Sequence, residues 1–329
     1  MGLFDKIKEP IFLKEDSNAQ NRLSDLEALR KEAAGELAER IEEEISKVSA
    51  GIAGEKAIHF ELANSHIPMF VLHDLYLEHN GLSAQIDYLI VTRRHFFVLE
   101  CKNLYGNIEI NPAGDFIRTI TYRGVTRREG VYSPVTQNRR HLDLIKEICK
   151  DCKNNIFAKI IFEKNFYKNY RSVVVLSNPK TLLYDGYAKK EIKEQVIRAD
   201  QLVQYIRRVD AEPDSVAMKE RTMKEMAQFF LDQHKPQNVD YTEKYEEALK
   251  VQKEEALKAQ KEEHAEITQP DPSNENRDVA VCADNQEKVV LCPKCGAPMV
   301  KRMATRGVNA GKPFYGCSRY PKCKEIVNI

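Results

Sequence analysis

No run in this chain is long or apolar enough to span a bilayer. The first residues, Met-Gly-Leu-Phe-Asp-Lys-Ile-Lys, carry charge early and lack an apolar core, so they do not read as a secretory signal. Met1-Gly2 is one part of a myristoylation signal, but Lys6 stands where that signal has Ser or Thr. These absences predict a cytoplasmic protein with reduced cysteines and no membrane partner. An excess of charge is missing too. Against 51 Lys and Arg stand 50 Asp and Glu, and the formal net charge is +1. A chain so balanced has no global field, so any nucleic-acid footprint must be local. His66, His73, His79 and His95 lack metal-ligand spacing and read as structural or surface groups. Cys149 and Cys152 find no nearby residues to close a four-ligand set.

At 329 residues the chain has room for two domains or three. Residues 1–50 read as an N-terminal helical region. Leu23, Leu26, Leu29, Leu37, Ile41 and Ile45 recur at helical spacing and predict one long helix over 21–50. Gly51 to Leu62 reads as a turn entering another helix. Residues 51–180 mix strand and helix signals. Strands are predicted over 68–77, 106–110, 116–122, 156–162 and 172–177, with a helix opening at Ser133-Pro134. Residues 181–235 read as a helical extension with a short strand at 195–199. Residues 236–287 read as a charged helix, then a Pro-, Asp- and Asn-rich linker. The apolar seam over 241–263 is too thin for a coiled coil; the N-terminal helix reads as a packing or dimer helix, and either helix is a candidate surface for protein partners.

The stretch Gln85–Asn103 organises the rest. Two apolar β-type runs joined by a short polar turn predict a β-hairpin. Within it stand Asp87, Glu100 and Lys102. Glu100 and Lys102 are two apart and share one face of their strand. Phe96 to Leu99 are apolar on both faces, which predicts a central, doubly covered strand. Charges there are costly unless paired or bound to a metal. Two carboxylates suit a hard cation, and a lysine beside them suits orienting a nucleophile or steadying developing charge. Metal-dependent phosphodiester hydrolysis is the chemistry this permits; a strand salt bridge is the plainer alternative. Arg118, Arg123, Arg127 and Arg128, interleaved with Tyr122 and Tyr132, suit either a phosphate backbone or a solvated edge.

Four short motifs occur in order: Gly51-x-x-Gly54-Glu55, Gln85-Ile86-Asp87, Leu99-Glu100-Cys101-Lys102-Asn103 and Pro134-x-x-Gln137. Together they resemble the nuclease-related domain, NERD, of the PD-(D/E)xK nuclease-like superfamily, with Ile86 where the superfamily's name has proline. The resemblance implies an α/β fold like that of restriction endonucleases, a mixed sheet flanked by helices, over residues 51–180. It implies catalytic roles for Asp87, Glu100 and Lys102, with Mg²⁺ or Mn²⁺ on Asp87 and Glu100. Glu55 and Gln137 would support that site.

Near the end of the chain, Cys292-Pro-Lys-Cys295-Gly and Cys317-Ser-Arg-Tyr-Pro-Lys-Cys323 place four cysteines in two tight pairs, the closed structural zinc pattern. With Phe314-Tyr315-Gly316 they resemble the small C-terminal zinc ribbon of bacterial type I DNA topoisomerases. Residues 288–329 hold nine Lys and Arg and a single acid, Glu325, a formal +8. Lys301, Arg302, Arg306, Lys312 and Arg319, with Phe314 and Tyr315, are candidate nucleic-acid contacts: cations for phosphates, rings for bases. No toroidal core accompanies the ribbon, so topoisomerase catalysis is not implied. The expected partner is DNA, single strands included. The expected function is a metal-dependent nuclease whose ribbon anchors DNA. The alternatives are a non-catalytic DNA-binding adaptor that keeps the fold and an accessory protein linked to DNA topology.

Overall fold

Phe96 to Leu99 are apolar on both faces because helices cover both. The computed structural model describes residues 7–213, 216–236, 240–267, 290–303 and 312–328. In chain order the elements are β1 (Ile11–Lys14), α1 (Ala19–Glu32), α2 (Gly35–Ala63), β2 (Phe70–His79), β3 (Leu82–Val91), β4 (Phe96–Lys102), β5 (Asn107–Ile110), β6 (Phe116–Tyr122), β7 (Val125–Val131), α3 (Pro134–Asp151), α4 (Ile156–Asn169), β8 (Tyr170–Leu176), β9 (Leu183–Tyr184), α5 (Lys190–Lys193), β10 (Val196–Arg198), α6 (Leu202–Asp210), α7 (Glu220–Asp232) and α8 (Glu243–Ile267). Then β11 (Met299–Met303), β12 (Pro313–Cys317) and β13 (Ile326–Asn328) form a separate small sheet. The chain divides into two compact units, residues 1–264 and 265–329.

The main sheet has the order β1-β2-β3-β4-β8-β10. β2, β3 and β4 are antiparallel neighbours, while β4, β8 and β10 run parallel. Leu142 and Ile145 of α3, Phe166 of α4 and Phe230 of α7 pack with Phe96 and Val98. Ile58 and Leu62 of α2 and Ile206 of α6 pack with Phe97 and Leu99 on the other face. This is the expected mixed α/β sheet flanked by helices. Among the described residues no helix is long and apolar enough to cross a membrane.

Four expectations need correction. The single helix over 21–50 is two: the backbone turns extended at Ala33 and Ala34, and Gly35, with φ +56°, starts α2. α2 then runs unbroken to Ala63, through the turn expected at Gly51. Residues 156–162 are not a strand but the first half of α4. The Asn155 side chain accepts the Ala158 N–H at 2.8 Å and caps that helix. Its period was hidden because it is apolar all round: Phe162 and Phe166 face the core while Ile156, Phe157, Ile160 and Ile161 are exposed.

The third correction concerns α8. Tyr245 and Leu249 are buried against Leu26, Leu37 and Ile41 of α1 and α2. The Gln252 amide brackets Ala34, accepting its N–H at 3.1 Å and donating to its C=O at 2.9 Å. The two segments expected to seek protein partners thus pack on each other. Residues 268–287 of the expected linker, with Cys282, lie outside the described residues. Fourth, the strand β7 was not expected. It completes a second sheet, β7-β6-β5-β9, through a two-residue turn at Arg123 (φ 49°) and Gly124 (φ 80°). Cys149 is buried with its thiol 3.6 Å from the Tyr170 hydroxyl, and burial pushes that thiol up to about 11.

Candidate active site and zinc centre

Side-chain alternation in the main sheet breaks where the acidic residues stand. Leu72 and Leu75, three apart, face the same core, and so do Ile86 and Leu89. Asp74, with φ 53°, makes the step on β2, and Asp87 lies across from it on β3. The β3–β4 pairing ends at Tyr88↔Leu99. Past that point the Asp87 carboxylate takes over as acceptor, receiving the Cys101 N–H at 2.6 Å.

β4 carries Glu100 and Lys102 toward α3. Glu100 is 2% exposed, and its Oε1 lies 2.6 Å from Lys102 Nζ. Lys102 also donates to Gln137 Oε1 at 3.1 Å. Gln137 reaches it from the first turn of α3, which Pro134 begins and the Ser133 hydroxyl caps. His141, one turn further on, was not singled out from the sequence. Its Nδ1 is 3.5 Å from Glu100 Oε2, and both atoms are buried without a hydrogen bond. Burial, then the Lys102 charge, pushes His141 down to about 4, so it is neutral near pH 7 and does not offset Glu100.

Burial holds Asp87 well above the ordinary carboxylate range, and the Glu100 charge raises it further against the Cys101 N–H. Burial also raises Glu100, with Lys102 opposing. Two carboxylates sharing one ammonium are short of positive charge. That deficit, hard oxygen donors and an unpartnered buried oxygen fit a divalent cation of the Mg²⁺ type. They supply no closed cage. Among the described residues only the four ribbon cysteines bring three or more His, Cys, Asp or Glu ligand atoms within 4.8 Å of one another. Mg²⁺ needs only one or two carboxylates and completes its shell with water and phosphate.

Glu55 belongs to a neighbouring cluster. Its carboxylate meets His73 Nε2 at 3.1 Å, and His73 Nδ1 meets the Glu15 C=O at 3.0 Å. An acceptor at each ring nitrogen favours the protonated form of His73. Burial opposes that charge, but the Glu55 and Glu15 contacts outweigh it and raise the His73 pKa. The Tyr88 ring stacks on His73 at 4.6 Å, and its hydroxyl donates to the Glu55 C=O at 3.0 Å. These groups line a cleft of about 230 Å³. The Glu55 charge still contributes to raising Asp87.

The two motif glycines differ in kind. A Cβ on Gly54 would lie 2.6 Å from Ser177 Oγ, 2.9 Å from Asn103 Cβ and 3.0 Å from Cys101 Sγ. α2 can approach the ends of β4 and β8 only through that glycine. Asn103 fixes the approach by donating to the Ala50 C=O at 2.7 Å. A Cβ on Gly51 would meet nothing within 4 Å. Gly54→Ala is expected to cost about 1–3 kcal/mol through overpacking. Gly51→Ala should stabilise by up to about 1 kcal/mol through helix propensity. Thermal unfolding of the two variants checks this, and equal shifts would remove the close-approach role from Gly54.

In the ribbon, Gly296 (φ 69°) closes the first knuckle, its N–H donating to the Cys292 C=O at 2.9 Å. Cys292 and Cys323 Sγ are 3.8 Å apart, and Cys295 and Cys317 Sγ 3.4 Å. Tetrahedral zinc with Zn–S of about 2.3 Å sets sulfurs about 3.8 Å apart, so the quartet fits that metal. The candidate nucleic-acid residues do not form one surface. Tyr315 is half-buried against the cysteines and pairs with Lys301, whereas Phe314 and Arg302 pair on the opposite face. Lys312 and Arg319 are exposed, and Arg306 lies outside the described residues.

The chain thus combines a mixed α/β sheet flanked by helices with a four-cysteine cluster that fits a zinc ribbon. Residues 50–177 match the family described as NERD, nuclease-related domain. Residues 289–329 match the topoisomerase DNA binding C4 zinc finger. The chain therefore carries a nuclease-related domain and a zinc ribbon of the DNA-binding kind. No curated protein and no solved structure matches it.

Proposed function

We propose that this chain is a DNA nuclease dependent on a divalent cation. The observation that carries the reading is Glu100 Oε2, buried without a partner beside a second raised carboxylate, Asp87. Asp87 and Glu100 would hold Mg²⁺ or Mn²⁺, which supplies a water of lowered pKa and neutralises phosphate charge. The Cys101 N–H holds Asp87 in place. Lys102, pinned between Glu100 and Gln137, presents its ammonium to a phosphate oxygen or to the attacking water. A non-catalytic adaptor would have no use for two carboxylates kept together at an electrostatic cost. The test is cleavage of linear, circular and single-stranded DNA by the purified chain, with and without Mg²⁺ or Mn²⁺.

The ribbon is the proposed DNA anchor, since residues 288–329 concentrate a formal +8 in a chain of net +1. Deleting residues 288–329 is expected to weaken DNA binding and flatten its salt dependence. Each lost phosphate contact removes about 0.7–0.9 from the logarithmic salt slope. Cleavage at saturating DNA should survive, because Asp87, Glu100 and Lys102 belong to the other unit and a tethered anchor acts by raising local DNA concentration. Equal affinities and salt slopes for full-length and truncated chains would move the ribbon to another partner.

A further inference from the structure

The β6–β7 hairpin outruns its own sheet. β5 begins at Asn107, opposite Thr119. Beyond that pair, Ile120–Tyr122 and Val125–Arg127 pair only with each other. The overhang starts at Gly106, where a Cβ would lie 2.6 Å from the Thr119 C=O and 3.0 Å from Ile120 Cγ1. Gly106 closes the four-residue loop between Lys102 and β5, so the base of the overhang lies four residues along the chain from the candidate site.

Strand alternation puts Ile120, Tyr122, Val125 and Arg127 on the face that, at the hairpin base, buries Ile108, Phe116 and Val131. At the tip that face has no cover: Tyr122 is 62% exposed, and Val125 across from it 72%. The basic residues sort themselves along the hairpin. Arg118 is held by Glu129, and Arg128 by Glu109 at 2.8 Å. The charge left toward solvent is at the tip. Arg123 lies over the Tyr122 ring, 5.1 Å from its centroid, and the exposed Arg127 has a single looser pair with Glu129 at 3.3 Å. A second such pair, Arg140 over the exposed Tyr132 at 5.8 Å, brackets Pro134 and Gln137 in sequence.

We propose that the hairpin tip holds single-stranded nucleic acid for the candidate site. A base stacks on Tyr122 against Val125, and the adjoining phosphates meet Arg123 and Arg127. Exposed rings between arginines fit a strand whose base faces are free, and a duplex keeps those faces stacked inside. The inference rests on the nuclease reading for the cleavage of the bound strand, but the binding itself does not need it.

The test uses the full-length chain carrying Glu100→Gln to block cleavage. A single-stranded oligonucleotide with one 5-iodouracil is irradiated on it, and crosslinked peptides are mapped by mass spectrometry. Crosslinks are expected in Thr119–Arg123, the tryptic peptide that holds Tyr122, with at least about tenfold lower yield from the matching duplex. On the wild-type background, Tyr122→Ala should raise KM for single strands about 5- to 150-fold, the loss of one stacked base, with kcat changed less than about twofold. Tyr122→Phe should keep the wild-type KM. Crosslinks confined to residues 290–328, equal yield from duplex, or an unchanged KM in Tyr122→Ala would each overturn the proposal. A Tyr122 crosslink in a chain whose wild type never cleaves would uphold it and sink the nuclease reading alone.

Discussion

Cys295→Ser is expected to release zinc and unfold the ribbon while leaving the unit over residues 1–264 folded. The reason is the composition of the ribbon's interior. Among the described residues its buried hydrophobic side chains are Cys292, Cys317, Cys323, Ala297 and Met299, so three of the five are cysteines. So small an apolar cluster gives little burial to set against chain entropy. Structural zinc contributes about 10–16 kcal/mol of apparent binding free energy in zinc-finger peptides, so metal binding is expected to supply much of the ribbon's folding free energy. Native mass spectrometry should find one zinc per wild-type chain and none in the variant. Hydrogen exchange should show protection lost over 290–303 and 312–328 and unchanged in the main sheet. A metal-free chain with a protected ribbon would contradict the zinc assignment.

The second large effect is at Asp87. Asp87→Asn should reduce cation-dependent cleavage by about a hundredfold or more, yet stabilise the metal-free fold, because burial and Glu100 disfavour the Asp87 charge. Burial and Glu100 raise the Asp87 pKa in the folded state. A carboxyl raised on folding makes the native state bind more protons than the unfolded one. Metal-free stability should therefore rise as pH falls from neutral through that raised range. Cation binding requires the deprotonated form, so the stabilisation conferred by Mg²⁺ should fade over the same range. Asn keeps an oxygen for the Cys101 N–H but cannot titrate, so both pH dependences should flatten. Thermal unfolding from pH 5 to 8, with Mg²⁺ and with chelator, reads all three effects. Destabilisation of equal size with and without Mg²⁺ would make Asp87 a structural residue.

The sequence made the hairpin legible because its signal is local. Period-two alternation, a polar turn and charges two residues apart are enough to place Glu100 beside Lys102. Gln137 was reached only through its motif. Its contact with Lys102 depends on α3 crossing the sheet 35 residues later. His141 and His73 were not readable as partners of Glu100 and Glu55. A lone histidine in a helix or strand carries no local mark of what faces it across the core. α4 misled for the opposite reason, since its exposed aliphatic residues erased the helical period. The pairing of α8 with α1 and α2 joins residues about 200 positions apart and buries only two α8 side chains, Tyr245 and Leu249. The arginines of β6 and β7 looked like one basic stretch. Cross-strand pairing instead neutralises Arg118 and Arg128 and leaves the charge at the tip.

The most direct measurement is DNA cleavage by the full-length protein with Mg²⁺, with chelator, and with Mg²⁺ restored, run beside Glu100→Gln and Lys102→Ala. The predicted result is cutting that disappears with chelator, returns with the cation and is absent from both variants, each of which unfolds as cooperatively as wild type. Equal residual cutting by wild type and both variants, or none by a folded, zinc-loaded wild type on any of the three DNA forms, would contradict a catalytic role for Asp87, Glu100 and Lys102.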